Sequence, residues 1–89
     1  MINMSLADRS DRIQHGSSVP VATQVARDIE ADILAGRIEP DTRLPSEPDL
    51  ALQYGVARMT IRRAVAQLRD KGLVVTVHGR GSFVAPDED

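Results

Sequence analysis

The sequence predicts one small α+β domain, mainly α, in which three helices are followed by a β-hairpin. Between residues 20 and 71, apolar residues recur at the three- and four-residue steps of amphipathic helices. Residues 73–85 instead contain two short β-branched or aromatic runs, separated by the turn HGRG. A length of 89 residues fits a single domain.

The first helix is predicted over about residues 20–35. Its apolar face has a helical period and consists of Val21, Ala22, Val25, Ala26, Ile29, Ile33 and Leu34. Its acidic positions, which we assign to a solvated face, are Asp28, Glu30 and Asp32. Gly36 suits the left-handed position that follows a helix. Residues 1–18 are polar and lack a sustained period, so we expect them to form a flexible N-terminal arm.

A turn in IEPDTRL and a very short strand at residues 43–44 are expected before the second helix. Ser46 and Asp49 have the spacing of a capping box, with aspartate in place of glutamate. We therefore predict the second helix over about residues 47–54, ending at Gly55.

The third helix is predicted over about residues 57–71, ending at Gly72. Its apolar face consists of Ile61, Ala64, Val65 and Leu68, and arginines occupy the rest of its surface. The tight turn at Gly55 joins the second and third helices into a helix-turn-helix. With the hairpin that follows, the predicted fold is a winged helix-turn-helix with its wing at residues 76–84.

The charge distribution indicates a polyanionic partner. The net charge is −2, yet residues 43–80 hold seven basic and three acidic side chains. A solvated helix face is the alternative that charge alone leaves open. The absence of cysteine excludes disulfides and thiolate metal sites, and the two aromatic residues are too few for a stacking platform for single-stranded nucleic acid.

Four motifs occur in order in the second half of the chain: LPSE, GVAR, TIR and GRGSFV. They closely resemble the winged helix-turn-helix DNA-binding domain of the GntR family of bacterial transcription regulators. The preceding VARDIEADILAGRIEPDTR is similar to the family's first helix and following turn, so the resemblance covers about residues 20–85. We expect this domain at residues 19–85, followed by an acidic tail at residues 86–89.

The resemblance implies that the third helix enters the major groove of DNA, while the wing reaches the adjacent minor groove or backbone. The positions that it marks as DNA-binding are Arg58, Met59, Thr60, Arg62, Arg63, His78, Gly79 and Arg80. Arg58 and Arg62 share one face of the helix, and a guanidinium can hold O6 and N7 of guanine. Arg63 points about 100° away from Arg62 and fits a surface or backbone-contacting role as well.

The sequence departs from the family pattern in three places. Ala57 stands where many relatives have Ser or Thr, so the third helix lacks a side-chain N-cap. Pro48 stands where some relatives carry an arginine that reaches DNA, so we assign no base contact to the second helix. Family members usually continue into a domain that binds an effector and dimerises, whereas this chain ends at PDED, and we expect no effector domain in it.

Nothing in the sequence forms a catalytic or metal-binding pattern. His78 has only His15 as a possible companion, and Ser46 has no His or Lys partner to activate it. We therefore expect no enzymatic activity, no metal and no cofactor.

We expect a sequence-specific regulator of transcription that binds double-stranded DNA and represses by occupying its operator. Because one winged helix-turn-helix domain contacts only a short half-site, we expect a homodimer on a palindromic operator. The expected location is the cytoplasm, at the nucleoid and without a membrane partner. Two alternatives stay open: a protein-interaction module or modulator of a longer paralogue with weak DNA binding, and an excisionase-like architectural factor.

Overall fold

A computed structural model describes residues 7–87. The helices and strands are α1 (Val21–Leu34), α2 (Glu47–Tyr54), α3 (Arg58–Asp70), β1 (Val74–Val77) and β2 (Gly81–Val84). The two strands pair antiparallel, with Val74 opposite Val84 and Val77 opposite Gly81. The predicted three helices and β-hairpin are thus confirmed.

The strand predicted at residues 43–44 is reduced to one antiparallel bridge, between Arg43 and Phe83. On either side of it, the Leu44 N–H donates to the Ser82 carbonyl and the Val84 N–H donates to the Thr42 carbonyl, each at 2.8 Å. The segment before α2 therefore lies along β2 and fastens the hairpin to the helical part of the domain.

All three helices contribute to a single core. Its fully buried side chains include Val25 and Ile29 of α1, Tyr54 of α2, and Ile61 and Leu68 of α3. Burial of these side chains fixes the apolar side of α3 against the other two helices. The opposite side of α3, which carries its arginines, therefore faces outward.

The residues predicted to begin and end α2 do so in the structure. The Asp49 N–H donates to Ser46 Oγ at 3.2 Å, which satisfies one of the free amides of the first turn. Gly55 ends the helix with φ of 66°, a left-handed conformation that glycine adopts without steric cost.

Helix α3 begins without a side-chain cap, since Ala57 occupies the N-cap position with φ −72° and ψ 152°. Serine favours this extended conformation at an N-cap, and its hydroxyl would accept from an amide of the first turn. Replacing Ala57 with serine is expected to raise the free energy of unfolding by about 0.5–1 kcal/mol. Urea denaturation checks this, with the exposed Ala35→Ser as the matched control. Equal stability of the two variants would contradict a missing cap at Ala57.

Residues 7–18, which we expected to belong to a flexible arm, pack against α1 and α2 in the structure. They contain a short 3₁₀ turn at Ser10–Arg12, and the Ile13 side chain is buried in the core. The Arg9 N–H donates to the Gln53 carbonyl at 2.7 Å. The packed unit therefore begins before residue 19. Residues 1–6 of the expected arm and residues 88–89 of the expected tail lie outside the described residues.

Arg9 links this N-terminal segment to both helices. Its Nη1 lies 2.8 Å from Oδ2 of Asp28, 2.8 Å from Oδ2 of Asp32, and 3.2 Å from the Tyr54 hydroxyl. Asp32 is buried rather than solvated as we expected, and its other oxygen accepts from Arg37 Nε at 2.7 Å. Arg9 and Arg12 thus fasten this segment to α1 by ion pairs, while most of its other polar side chains are exposed to solvent.

The Tyr54 hydroxyl completes this network by donating to Asp28 Oδ2 at 2.6 Å. Burial, together with the neighbouring Asp28 carboxylate, raises the pKa of Tyr54 well above its usual range. Burial acts to raise the pKa of Asp28 as well. The hydrogen bond from Tyr54 and the charges of Arg12 and Arg9 outweigh that effect, so the pKa of Asp28 lies below its usual value. Asp28 is consequently held in its charged form.

Candidate nucleic-acid interface

The first two turns of α3 place two arginines on its outward face. Arg58 is the first residue of the helix and is exposed, and Arg62 follows one turn later with 59% of its side chain exposed. Ile61, between them in sequence, points into the core and is fully buried. The prediction that Arg58 and Arg62 share one accessible face agrees with this geometry.

Arg62 is engaged by a carboxylate from α2. Its Nη2 donates to Glu47 Oε1 at 2.9 Å, and its Nε donates to Oε2 at 3.3 Å. The hydrogen bond from Arg62 holds the pKa of Glu47 below its usual value, although partial burial acts in the opposite direction. This pair was not predicted from the sequence, because Glu47 and Arg62 are 15 residues apart and meet only when α2 packs beside α3.

The other predicted positions on α3 differ in accessibility. Met59 is half exposed in the first turn, next to Arg58. Thr60 is partly buried, and its N–H donates to the Ala57 carbonyl at 3.0 Å. Arg63 is exposed, and its side chain makes no ion pair with any residue between 7 and 87. Met59 and Arg63, four residues apart, therefore add an apolar and a basic side chain along the same side of the Arg58–Arg62 face.

The predicted wing residues lie together in the turn of the hairpin. His78, Gly79 and Arg80 are all exposed. The Arg80 N–H donates to the Val77 carbonyl at 2.9 Å and closes the turn. Gly79 has φ of 78°, the left-handed conformation expected for a glycine in such a tight turn. The tip thus presents one imidazole and one guanidinium to solvent.

Two basic residues near the end of α3 have structural contacts. Arg69 Nη1 donates to Thr76 Oγ1 on β1 at 2.9 Å, and Lys71 Nζ lies 2.8 Å from Glu30 Oε1 on α1. These contacts connect α3 to the wing and to α1, and they help to set the position of the wing relative to the arginine face.

A comparison with known protein families identifies this arrangement. Residues 21–84 match the family model described as "Bacterial regulatory proteins, gntR family". The chain belongs to the GntR family. The resemblance inferred from the LPSE, GVAR, TIR and GRGSFV motifs is thereby confirmed.

Two GntR relatives illustrate the extent of the similarity. The HTH-type transcriptional repressor NagR of Bacillus subtilis is 38% identical over 73 residues, which cover 82% of this chain and 30% of NagR. The histidine utilization repressor of Klebsiella aerogenes is 44% identical over 66 residues, covering 74% of this chain and 27% of that protein. The chain therefore spans less than a third of the length of either relative.

The GntR fold is also found in solved structures. The DNA-binding domain of AraR in complex with operator ORX1 is 41% identical, with a TM-score of 0.76. The match covers 82% of this chain and 92% of the AraR chain. A winged helix-turn-helix of the GntR type is thus confirmed for the described residues.

Within residues 7–87 of this GntR chain, no group of histidine, aspartate and glutamate side chains could hold a metal ion. No helix in that part of the chain is long and apolar enough to cross a membrane.

Proposed function

We propose that this GntR domain binds operator DNA in a sequence-specific manner and represses transcription by occupying the operator. The observation that carries the proposal is the exposed Arg58–Arg62 face at the start of α3, held next to an exposed wing. The similarity to the operator-bound domain of AraR supports it, since that match covers 82% of this chain. We further propose a binding function without catalysis, located in the cytoplasm at the nucleoid.

In this proposal, α3 lies in the major groove and each predicted residue has a definite role. Arg58 carries most of the base discrimination, because no carboxylate among residues 7–87 pairs with its guanidinium. Arg62 contacts a base with the donors that Glu47 leaves available. Met59 and Thr60 are short or flexible enough to contact a thymine methyl or a phosphate. Arg63 contacts the backbone.

The wing residues complete the interface. His78, Gly79 and Arg80 reach the adjacent minor groove or its phosphates, with Gly79 allowing close approach of the backbone. One such interface reads a short half-site, so we propose that two copies bind a palindromic operator as a homodimer.

Fluorescence-anisotropy titration of the chain against a pool-selected duplex and a scrambled duplex, over a series of salt concentrations, tests the proposed function. Tighter binding to the selected duplex with a steep salt dependence is expected, and the stoichiometry reports whether two copies bind. Equal affinity for both duplexes at every salt concentration would contradict it and favour a protein-interaction module. Binding that strongly bends the selected duplex would instead favour an architectural factor.

Replacing Arg80 with alanine is expected to weaken binding to the selected and scrambled duplexes by the same factor. A phosphate contact contributes to affinity without reading sequence. Its loss makes the negative slope of log K against log salt shallower by about one. The same titration measures both quantities, with Arg27→Ala on α1 as the control for the loss of one exposed positive charge. A loss confined to the selected duplex would show that Arg80 reads a base.

A further inference from the structure

Arg43 occupies a position that neither the motifs nor the family resemblance assigned to DNA. It lies directly before LPSE and pairs with Phe83 through the bridge that fastens the hairpin to the rest of the domain. Its side chain is exposed. Within residues 7–87, that side chain makes no hydrogen bond and no ion pair, so its charge is not neutralised by a protein carboxylate.

The Arg43 guanidinium packs against the backbone of the wing. It lies against Gly81 at the start of β2, where an added Cβ atom would be only 3.0 Å from Arg43 Nε and 3.6 Å from Cζ. Gly81 also has φ of 110°, which a residue with a side chain rarely adopts. The missing side chain at Gly81 therefore provides the space in which the guanidinium packs on the base of the wing.

The surroundings of Arg43 connect the two elements proposed to contact DNA. An open groove separates the beginning of α2 from the hairpin, and its lining includes Arg43, Ser46, Glu47, Thr76, Gly81 and Ser82. Glu47, at one side of this groove, holds Arg62 of α3. Thr76 and Ser82, at the other side, belong to the two strands of the wing. Arg43 thus lies between the arginine face of α3 and the wing.

The geometry of a duplex indicates what this position would face. The major groove and the adjacent minor groove are separated by one sugar-phosphate strand, so a helix in the first and a wing in the second straddle that strand. We propose that Arg43 binds a backbone phosphate of this strand. The inference rests on the proposed function and extends it by a third contact point, one that lies against Gly81 and carries no sequence information.

Neutralising single phosphates tests the contact directly. In wild-type protein, a methylphosphonate at one position between the two contacted grooves of the selected duplex is expected to lower the affinity about tenfold, as for loss of one exposed charge-assisted hydrogen bond. In Arg43→Ala, the same duplex is expected to bind no more than about twofold more weakly than the unmodified one. If the effects of every methylphosphonate and of Arg43→Ala multiply independently, the phosphate contact is excluded and Arg43 only positions the wing.

Salt dependence provides a second measurement. Arg43→Ala is expected to weaken binding to selected and scrambled duplexes equally. It should also make the negative slope of log K against log salt shallower by about one, whereas Arg43→Lys restores the slope. The matched control, Arg27→Ala, removes an exposed arginine of α1 and is expected to change neither quantity. If Arg43→Ala behaves like Arg27→Ala while wild type still prefers the selected duplex, the Arg43 inference is wrong and the proposed function stands. If wild type shows no preference, the proposed function itself fails.

Discussion

Replacing Arg58 with alanine is expected to reduce the discrimination between selected and scrambled duplexes by about 1–3 kcal/mol. Arg58 begins α3, is exposed, and makes no ion pair within the described residues, so its whole guanidinium fork is available to one guanine. Loss of a bidentate contact relaxes the preference at a single base pair. Affinity for the scrambled duplex should fall much less, because that complex depends mainly on phosphate contacts.

Anisotropy titration of Arg58→Ala against the selected duplex and its single-base-pair variants measures this effect. Arg27→Ala removes the same charge from an exposed position on α1 and serves as the control, while Arg58→Lys tests whether the planar fork is required. A uniform loss of affinity on all duplexes, with the order of preference preserved, would assign Arg58 to the backbone and leave base reading to Arg62.

Replacing Arg9 with alanine is expected to lower the free energy of unfolding by about 2 kcal/mol. Removing one partner of a buried ion pair costs about 3–5 kcal/mol, and this value is reduced here because Arg12 and Arg37 still pair with the two carboxylates. Arg9 is 16% exposed and Asp32 only 6%, so the carboxylates left behind are poorly solvated. Urea denaturation measures the difference, and the exposed Arg27→Ala is the control. Equal unfolding midpoints for the two variants would show that the ion pairs of Arg9 do not stabilise the domain.

The same network predicts a dependence on pH. The pKa of Asp28 is lower in the folded chain than its ordinary value of 3.8, so its pairing stabilises the fold above that pH and is lost as the pH falls through the folded value. The stability difference between wild type and Arg9→Ala should therefore narrow below about pH 4. A difference that is constant from pH 7 to pH 3 would assign the effect of Arg9 to packing alone.

The parts of the fold that sequence reasoning found are those encoded by neighbouring residues. Helical periods gave α1 and α3, and the cap at Ser46 with Gly55 gave the bounds of α2. The N-terminal segment was misjudged because its partners are distant: Arg9 reaches Asp28, Asp32 and Tyr54, which are 19, 23 and 45 residues away. No local period signals such pairing, and a polar stretch without a period is ordinarily typical of a loose arm.

In the candidate DNA interface, too, some features were predicted from the sequence and others were not. The family motifs located the arginine face of α3 and the wing, and the structure exposes both; their contacts with DNA remain predictions. The partner of Arg62 was not visible, because Glu47 lies 15 residues earlier and meets it only when α2 packs beside α3. Arg43 was also overlooked, since its position depends on the absence of a side chain at Gly81.

The docking of residues 7–18 has a practical consequence for chimeric regulators. The family match begins at residue 21, so a fusion designed on that boundary would delete both Ile13, which is buried in the core, and Arg9, which neutralises Asp32. Such a truncated module would expose apolar surface beside an under-neutralised carboxylate on α1. A DNA-binding domain taken from this chain for a fusion should therefore begin at or before Arg9.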